Sequence, residues 1–220
     1  MQKKYGLLLD FDGVVVDSEP LYEAAMNIQF KKYGIKVEAD DWLFFKGKDA
    51  KAVFSYIHDK YDAQFDIDVM RKEYSIDLYN EFKKNMRFIP GFIEFYDSCL
   101  DEFSDLIVTS TSREIMDWTF ENVPVDNIFS GMITSSEVEN TKPHPEPYLK
   151  GAEMIGIPIE KCIVIEDSVN GIRSGKASGA KVIGITTTFP ADVIHEADLI
   201  VNSYDELSPE ILKELINDKV

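Results

Sequence analysis

The sequence predicts an α/β fold, a parallel sheet flanked by helices, with an all-helical segment inserted after the first strand. Three observations carry this. Six short apolar runs are separated by stretches of helical periodicity, the pattern of strands buried between two helical layers. Residues 18–87 interrupt that alternation with helical patterns only. The charge is split the same way. The 220 residues hold 23 Lys+Arg and 40 Asp+Glu, a net of −17. Residues 18–87 hold 12 basic and 13 acidic residues, and the rest holds 11 and 27.

Taken in order, Tyr5–Phe11 is the first apolar run and stops at two aspartates. Pro20–Tyr33, closed by Gly34, then Asp49–Lys60, then Asp66–Lys84 read as amphipathic helices. An all-helical insert at this point of an α/β chain is a cap or lid. Pro90 and Gly91 mark the return to the core. The expected domains are therefore 1–17 with 88–220, and 18–87. The later strands are expected at Leu106–Thr109, Gly131–Ser135, Cys162–Ile165, Lys181–Thr186 and Leu199–Val201. Helices are expected at Ser112–Asn122, Pro145–Gly156 and Ser168–Gly179, the last two ending in glycine, and a final helix closes the chain.

The hydrophobic fraction of 45% suits a globular core. An isoelectric point near 4.5 argues against sequence-independent nucleic-acid binding and against adhesion to anionic membranes. No uncharged run exceeds ten residues, so no membrane span is expected. The start of the chain lacks a signal-peptide pattern. Cys99 and Cys162 have no metal-type spacing and read as buried thiols of a cytoplasmic protein.

The chemistry-bearing residues fall at strand ends, where open α/β sheets bind ligands. Asp10-Phe11-Asp12-Gly13 offers two carboxylates two residues apart. One can attack phosphorus to form an aspartyl-phosphate and the other can serve as general acid and base. The plainer alternative is a pair of strand-end acids capping a helix. Ser110 can hold a phosphoryl oxygen or simply occupy a turn. Lys142 sits in Thr-Lys-Pro-His-Pro-Glu-Pro-Tyr, where three prolines stiffen the loop. A rigid loop presenting one ammonium suits a clamp on phosphate, although a surface connector lysine is the simpler reading. Glu166-Asp167 end a strand that can lie beside the first. Carboxylates gathered there need a proton or a divalent cation, and Mg²⁺ suits oxygen ligands and a phosphate substrate. The run Gly171–Ala177 looks like a phosphate loop but has the wrong spacing. It reads as a helix packed closely on the sheet.

Together, Asp10–Glu19 (D-F-D-G-V-V-V-D-S-E), Val108–Ser112 (V-T-S-T-S), Thr141–Tyr148 and Ile165–Gly171 (I-E-D-S-V-N-G) resemble the motifs of the haloacid dehalogenase superfamily. The similarity spans essentially the whole chain and is narrower to the helical-cap branch, which includes β-phosphoglucomutase and sugar-phosphate phosphatases. The resemblance implies a Rossmann-like core. It implies Asp10 as nucleophile and metal ligand, and Asp12 as acid/base with its carbonyl on the metal. Ser110 and Lys142 would hold the transferring phosphoryl group. Asp167 would complete the Mg²⁺ site, with Glu166 beside it directly or through water. Thr111, Ser112 and Arg113 would line the core side of the substrate site. Lys46, Gly47, Lys48 and Tyr22 would serve it from the cap.

The expected substrate is a small phosphorylated metabolite, a sugar or sugar-acid phosphate, handled by a monomer. The chain also departs from the mutase pattern. Ala50 stands near the place of a cap arginine, and Lys48, the candidate substitute, lacks the bidentate fork. Tyr22 replaces a histidine, and Glu114 replaces an expected amide. These departures favour a hydrolase over a phosphosugar mutase. A non-catalytic interaction protein on the same fold is the remaining alternative, and the intact motifs count against it.

Overall fold

The structure is a computed structural model. It describes residues 3–218 apart from 47, 49, 124, 126 and 127, and the side chain of residue 43. The chain divides into two compact units, Met1–Asp17 with Arg87–Val220, and Ser18–Met86.

In the first unit, six strands form one parallel sheet: β1 (Tyr5–Leu9), β2 (Phe103–Val108), β3 (Met132–Ile133), β4 (Cys162–Glu166), β5 (Lys181–Ile185) and β6 (Leu199–Val201). Their order is β3-β2-β1-β4-β5-β6. All pairings are parallel, and Leu9 sits level with Ile107 on one side and Ile165 on the other. The chain steps outward from β1 in one direction and then in the other. The crevice beyond the carboxyl ends of β1 and β4 is therefore the topological switch point.

Burial on both faces explains the continuous apolar strands: Leu7, Leu8, Leu9, Ile163, Val164 and Ile165 are all fully buried. One core packs Leu8, Leu106, Val108, Tyr148, Val164 and Val182 together. Close approach of helix to sheet accounts for Gly175, where a Cβ would lie 2.8 Å from Val182 and 3.1 Å from Val164. This matches the helix-packing reading of Gly171–Ala177 rather than a phosphate loop.

The second unit is the helical insertion, with α1 (Glu19–Lys32), α2 (Ala39–Phe45), α3 (Ala50–Lys60) and α4 (Ile67–Asn85). Leu21, Ala25, Met26, Gln29 and Phe30 of α1 are buried at helical spacing. The core of this unit is aromatic, with Phe30, Phe45, Phe54 and Tyr74 at its centre. Asp41 is buried and accepts bonds from Tyr56 Oη (2.8 Å), Lys60 Nζ (2.6 Å), Glu38 N (2.8 Å) and Tyr61 Oη, tying α2 to α3. The α2 helix goes beyond the sequence expectation. Its run Asp-Trp-Leu-Phe-Phe has no polar face to show a helical period, and a capping box between Glu38 and Asp41 starts it.

The remaining helices belong to the first unit: α5 (Phe92–Cys99), α6 (Arg113–Asn122), α7 (Glu146–Ile155), α8 (Val169–Ser178) and α9 (Pro209–Asn217). The helix α5 was also not expected. It begins at Gly91, whose φ of 79° is a left-handed geometry that favours glycine. Both cysteines are free and buried, and no described helix is long and apolar enough to cross a membrane.

Candidate active site

Asp10 follows β1 directly, and its N–H donates to the Ile165 carbonyl at 3.1 Å, fixing the strand end against β4. The chain then turns at Gly13, where φ is 72°. A Cβ at that position would overlap the Asp167 carboxylate. Gly13 is therefore required by backbone conformation and by the close approach of β4's acidic end.

Lys142 reaches into this crevice from the loop before α7. Its Nζ donates to Asp10 Oδ1 (2.8 Å), the Val108 carbonyl (2.8 Å) and Glu166 Oε1 (2.6 Å). Those three bonds use all three ammonium protons. The loop is held by more than its prolines. Glu146 accepts from Glu139 N, Asn140 N and Asn140 Nδ2 at 2.9–3.0 Å. Ser174 Oγ donates to the His144 carbonyl at 2.6 Å. The Lys142–Pro143 peptide bond is cis.

Asp10, Glu166 and Asp167 are buried and bring carboxylate oxygens within 4.8 Å of one another. Burial pushes the Asp10 carboxyl up to about 7; Lys142 opposes this, and Glu166 and Asp12 add to it. Asp167 is raised well above the usual range by burial, then by the Glu166 and Asp10 charges, with a bond from Thr188 opposing. Burial pulls Lys142 down, but Asp10 and Glu166 outweigh it and its pKa is raised, so it stays charged. One ammonium thus faces several buried carboxylates. That surplus of hard oxygen donors fits a divalent cation such as Mg²⁺.

The three acids are not equivalent. Glu166 Oε1 already accepts from Lys142 and from Tyr148 Oη (2.8 Å). Its Oε2 accepts from Asp167 N, Ser168 N and Ser168 Oγ at 2.9–3.2 Å. A carboxylate has about four lone-pair directions, so Glu166 is saturated by protein donors. Asp10 and Asp167 carry fewer protein donors, while Glu166 remains within the same cluster of carboxylate oxygens. Gly171 makes room for this arrangement, since a Cβ there would overlap the Glu166 carboxylate.

Other expected residues are placed as follows. Asp12 accepts a bond from Thr111 Oγ1 at 3.2 Å. Ser110 is exposed just beyond β2, and Ser112 is the N-cap residue of α6. Arg113 is part-buried and hydrogen-bonded within the protein. Its guanidinium bonds Glu137 (3.0 Å) and the Met132 carbonyl (3.1 Å), which ties α6 to the β3 side. Glu114 is exposed. In the helical unit, Tyr22 packs edge-on against Phe82 at 5.5 Å. Lys46 is half-buried and ends α2. Lys48 lies 4.7 Å over the Phe44 ring. Gly47 lies outside the described residues.

Sequence reasoning missed Tyr148, Ser168, Thr187 and Thr188. Thr187 Oγ1 donates to the Gly13 carbonyl at 2.5 Å, and Thr188 bonds Asp167. A run of three threonines at the end of β5, next to β4, was the available signal.

The haloacid dehalogenase-like hydrolase family model matches residues 7–185. Glycerol-1-phosphate phosphohydrolase 2 of Saccharomyces cerevisiae is 31% identical over 91% of this chain and 82% of its own. Hexitol phosphatase A of Escherichia coli is 28% identical over 92% and 93%. The chain also matches the chloroplastic protein Suppressor of quenching 1 of Arabidopsis thaliana at 28% identity, but spans only 19% of that protein. Among solved structures, β-phosphoglucomutase from Clostridium difficile superposes with a TM-score of 0.75 at 19% identity, covering 97% of each chain. That is a likeness of fold.

Proposed function

The chain belongs to the haloacid dehalogenase-like hydrolases, and from that premise we propose that it is a Mg²⁺-dependent phosphatase of a small phosphorylated polyol, sugar or sugar acid. The observation that carries this is the meeting of Asp10 and Lys142 at 2.8 Å beside Asp167 and Glu166, at the sheet's switch point. The two relatives named for glycerol phosphate and hexitol substrates support the substrate class.

Asp10 and Asp167 would hold the ion, with the Asp12 carbonyl as a third ligand. Bound Mg²⁺ would neutralise phosphoryl charge and align the group for in-line attack. Asp10 attacks phosphorus, the leaving oxygen takes a proton from Asp12, and an aspartyl-phosphate forms. Asp12 then removes a proton from water, which attacks phosphorus and returns Asp10 and inorganic phosphate. Thr111 holds the Asp12 carboxylate. Lys142 and the Ser110 region meet the equatorial oxygens as charge develops. Lys46 and Lys48 are the proposed contacts for the substrate beyond its phosphate.

A mutase reading has support from the likeness to β-phosphoglucomutase, but Arg113 is tied to Glu137 and Glu114 sits next to it. Neither arrangement favours a second phosphate.

The test is phosphate release from glycerol phosphates, hexitol phosphates, sugar phosphates and phosphoglycolate, with Mg²⁺ or EDTA. We expect metal-dependent release with a clear preference, and a fall of about a thousandfold or more in Asp10→Asn. Release that persists in EDTA or in Asp10→Asn contradicts the mechanism. No phosphate release from any compound, together with isomerisation of a sugar phosphate once a sugar bisphosphate is added, would establish the mutase instead.

A further inference from the structure

We propose that Tyr148 is a positioning residue that, through Glu166, aims Lys142 at the transferring phosphoryl group; this deepens the phosphohydrolase reading and rests on it. Tyr148 is fully buried, and its ring belongs to the apolar core beneath the sheet. Its hydroxyl emerges from that core to donate to Glu166 Oε1 at 2.8 Å, the same oxygen that accepts Lys142 at 2.6 Å. The face of the ring lies 5.0 Å from the Lys142 ammonium. Tyr148 therefore touches the lysine's charge from two directions, once through the ring and once through Glu166.

The geometry leaves little freedom. Glu166 Oε2 is fixed by two backbone N–H groups and the Ser168 hydroxyl. With Tyr148 on Oε1, the carboxylate cannot turn without losing a donor in a buried place. Glu166 and the Val108 carbonyl then fix two of the three Lys142 protons, and the third points to Asp10. Asp10 is the one acceptor of the three whose bonding changes in the reaction. The third proton is the one that can pass to a phosphoryl oxygen while the other two keep the ammonium in place. A phenylalanine would fill the same core volume and keep the ring face. It would leave Oε1 to Lys142 alone, free to draw the ammonium towards Glu166.

The test compares wild type with Tyr148→Phe in two ways. With p-nitrophenyl phosphate and Mg²⁺ at 15 °C, well below unfolding, we expect kcat to fall about tenfold. KM and the Mg²⁺ concentration for half-activation should stay within about twofold. A residue that only supported the fold would lower the melting temperature and leave kcat at 15 °C unchanged, and that outcome overturns the proposal. The second readout is independent of turnover: the ¹⁵N resonance of the Lys142 ammonium, assigned by its loss in Lys142→Met. We expect Tyr148→Phe to shift it or speed its hydrogen exchange. A resonance unchanged in position and exchange overturns the proposal whatever the activity. If wild type releases no phosphate from any compound, the phosphohydrolase reading fails, and the resonance alone decides whether Tyr148 holds Lys142.

Discussion

Asp10 and Asp167 show how a folded environment sets the chemistry of an ordinary side chain. Both carboxyls are raised, first by burial. The metal-free folded protein therefore keeps protons that the unfolded chain releases between pH 3.8 and about 7. Stability falls as pH rises through that window. In EDTA the melting temperature should decline from pH 5 to pH 8, and less so in Asp10→Asn. Mg²⁺ should restore it most at pH 8, above the Asp10 value of about 7; a metal-free melting temperature that climbs steadily over this range contradicts the assignment. Small residues matter as much. Gly171→Ala places a methyl where the Glu166 carboxylate lies. We expect the variant to fold but lose at least about tenfold in kcat, because Glu166 can no longer hold Lys142. Wild-type turnover in that variant would show that the carboxylate moves aside harmlessly.

At the scale of elements, the loop before α7 is the part that delivers a distant charge. Three prolines restrict it, but Glu146 closes it by accepting bonds from residues 139 and 140 and pairing with Lys150 at 2.9 Å. Those bonds hold the Glu146 carboxyl down at about 2, the Glu139 N–H contributing most. A depressed carboxyl stabilises the fold above its unfolded pKa, near 4.5, and loses that effect as pH falls towards 2. Wild type should therefore melt higher than Glu146→Gln at pH 6, with the gap closing by about pH 2. A gap that persists at pH 2 would assign the difference to packing. The two helices absent from the sequence expectation, α2 and α5, mark the limit of periodicity. One is too aromatic to show a polar face. The other is only eight residues long, so its buried Phe92 and Tyr96 and its exposed Glu94 and Asp97 span barely two turns.

For the whole molecule, a net charge of −17 repels a phosphoester dianion before it meets Lys142 and the ion. Salt screens that repulsion over roughly 10 Å at 0.1 M. At constant free Mg²⁺, kcat/KM should rise about two- to threefold between 20 and 200 mM NaCl. A fall over this range would show that local cations, not the global field, govern approach. The acid surplus lies outside residues 18–87, so the effect belongs to the unit that carries Asp10.

The sequence by itself determined the sheet and the place of the chemistry. Strands buried on both faces must be apolar throughout, and a chain leaving such a strand announces itself by its first polar residues. Asp10, Ser110 and Glu166-Asp167 could be found this way, and Lys142 followed from its rigid loop. Only the tertiary structure decided what each group touches. Lys142 meets Asp10 across 132 residues of chain, and Glu166 accepts bonds from a tyrosine, a lysine and a serine that no spacing announces. Arg113, a binding candidate by position, also bonds Glu137. Residue type and strand position are local properties. Which donor reaches which oxygen depends on how parallel strands bring distant loops to one end of the sheet, and no spacing in the sequence encodes that distance.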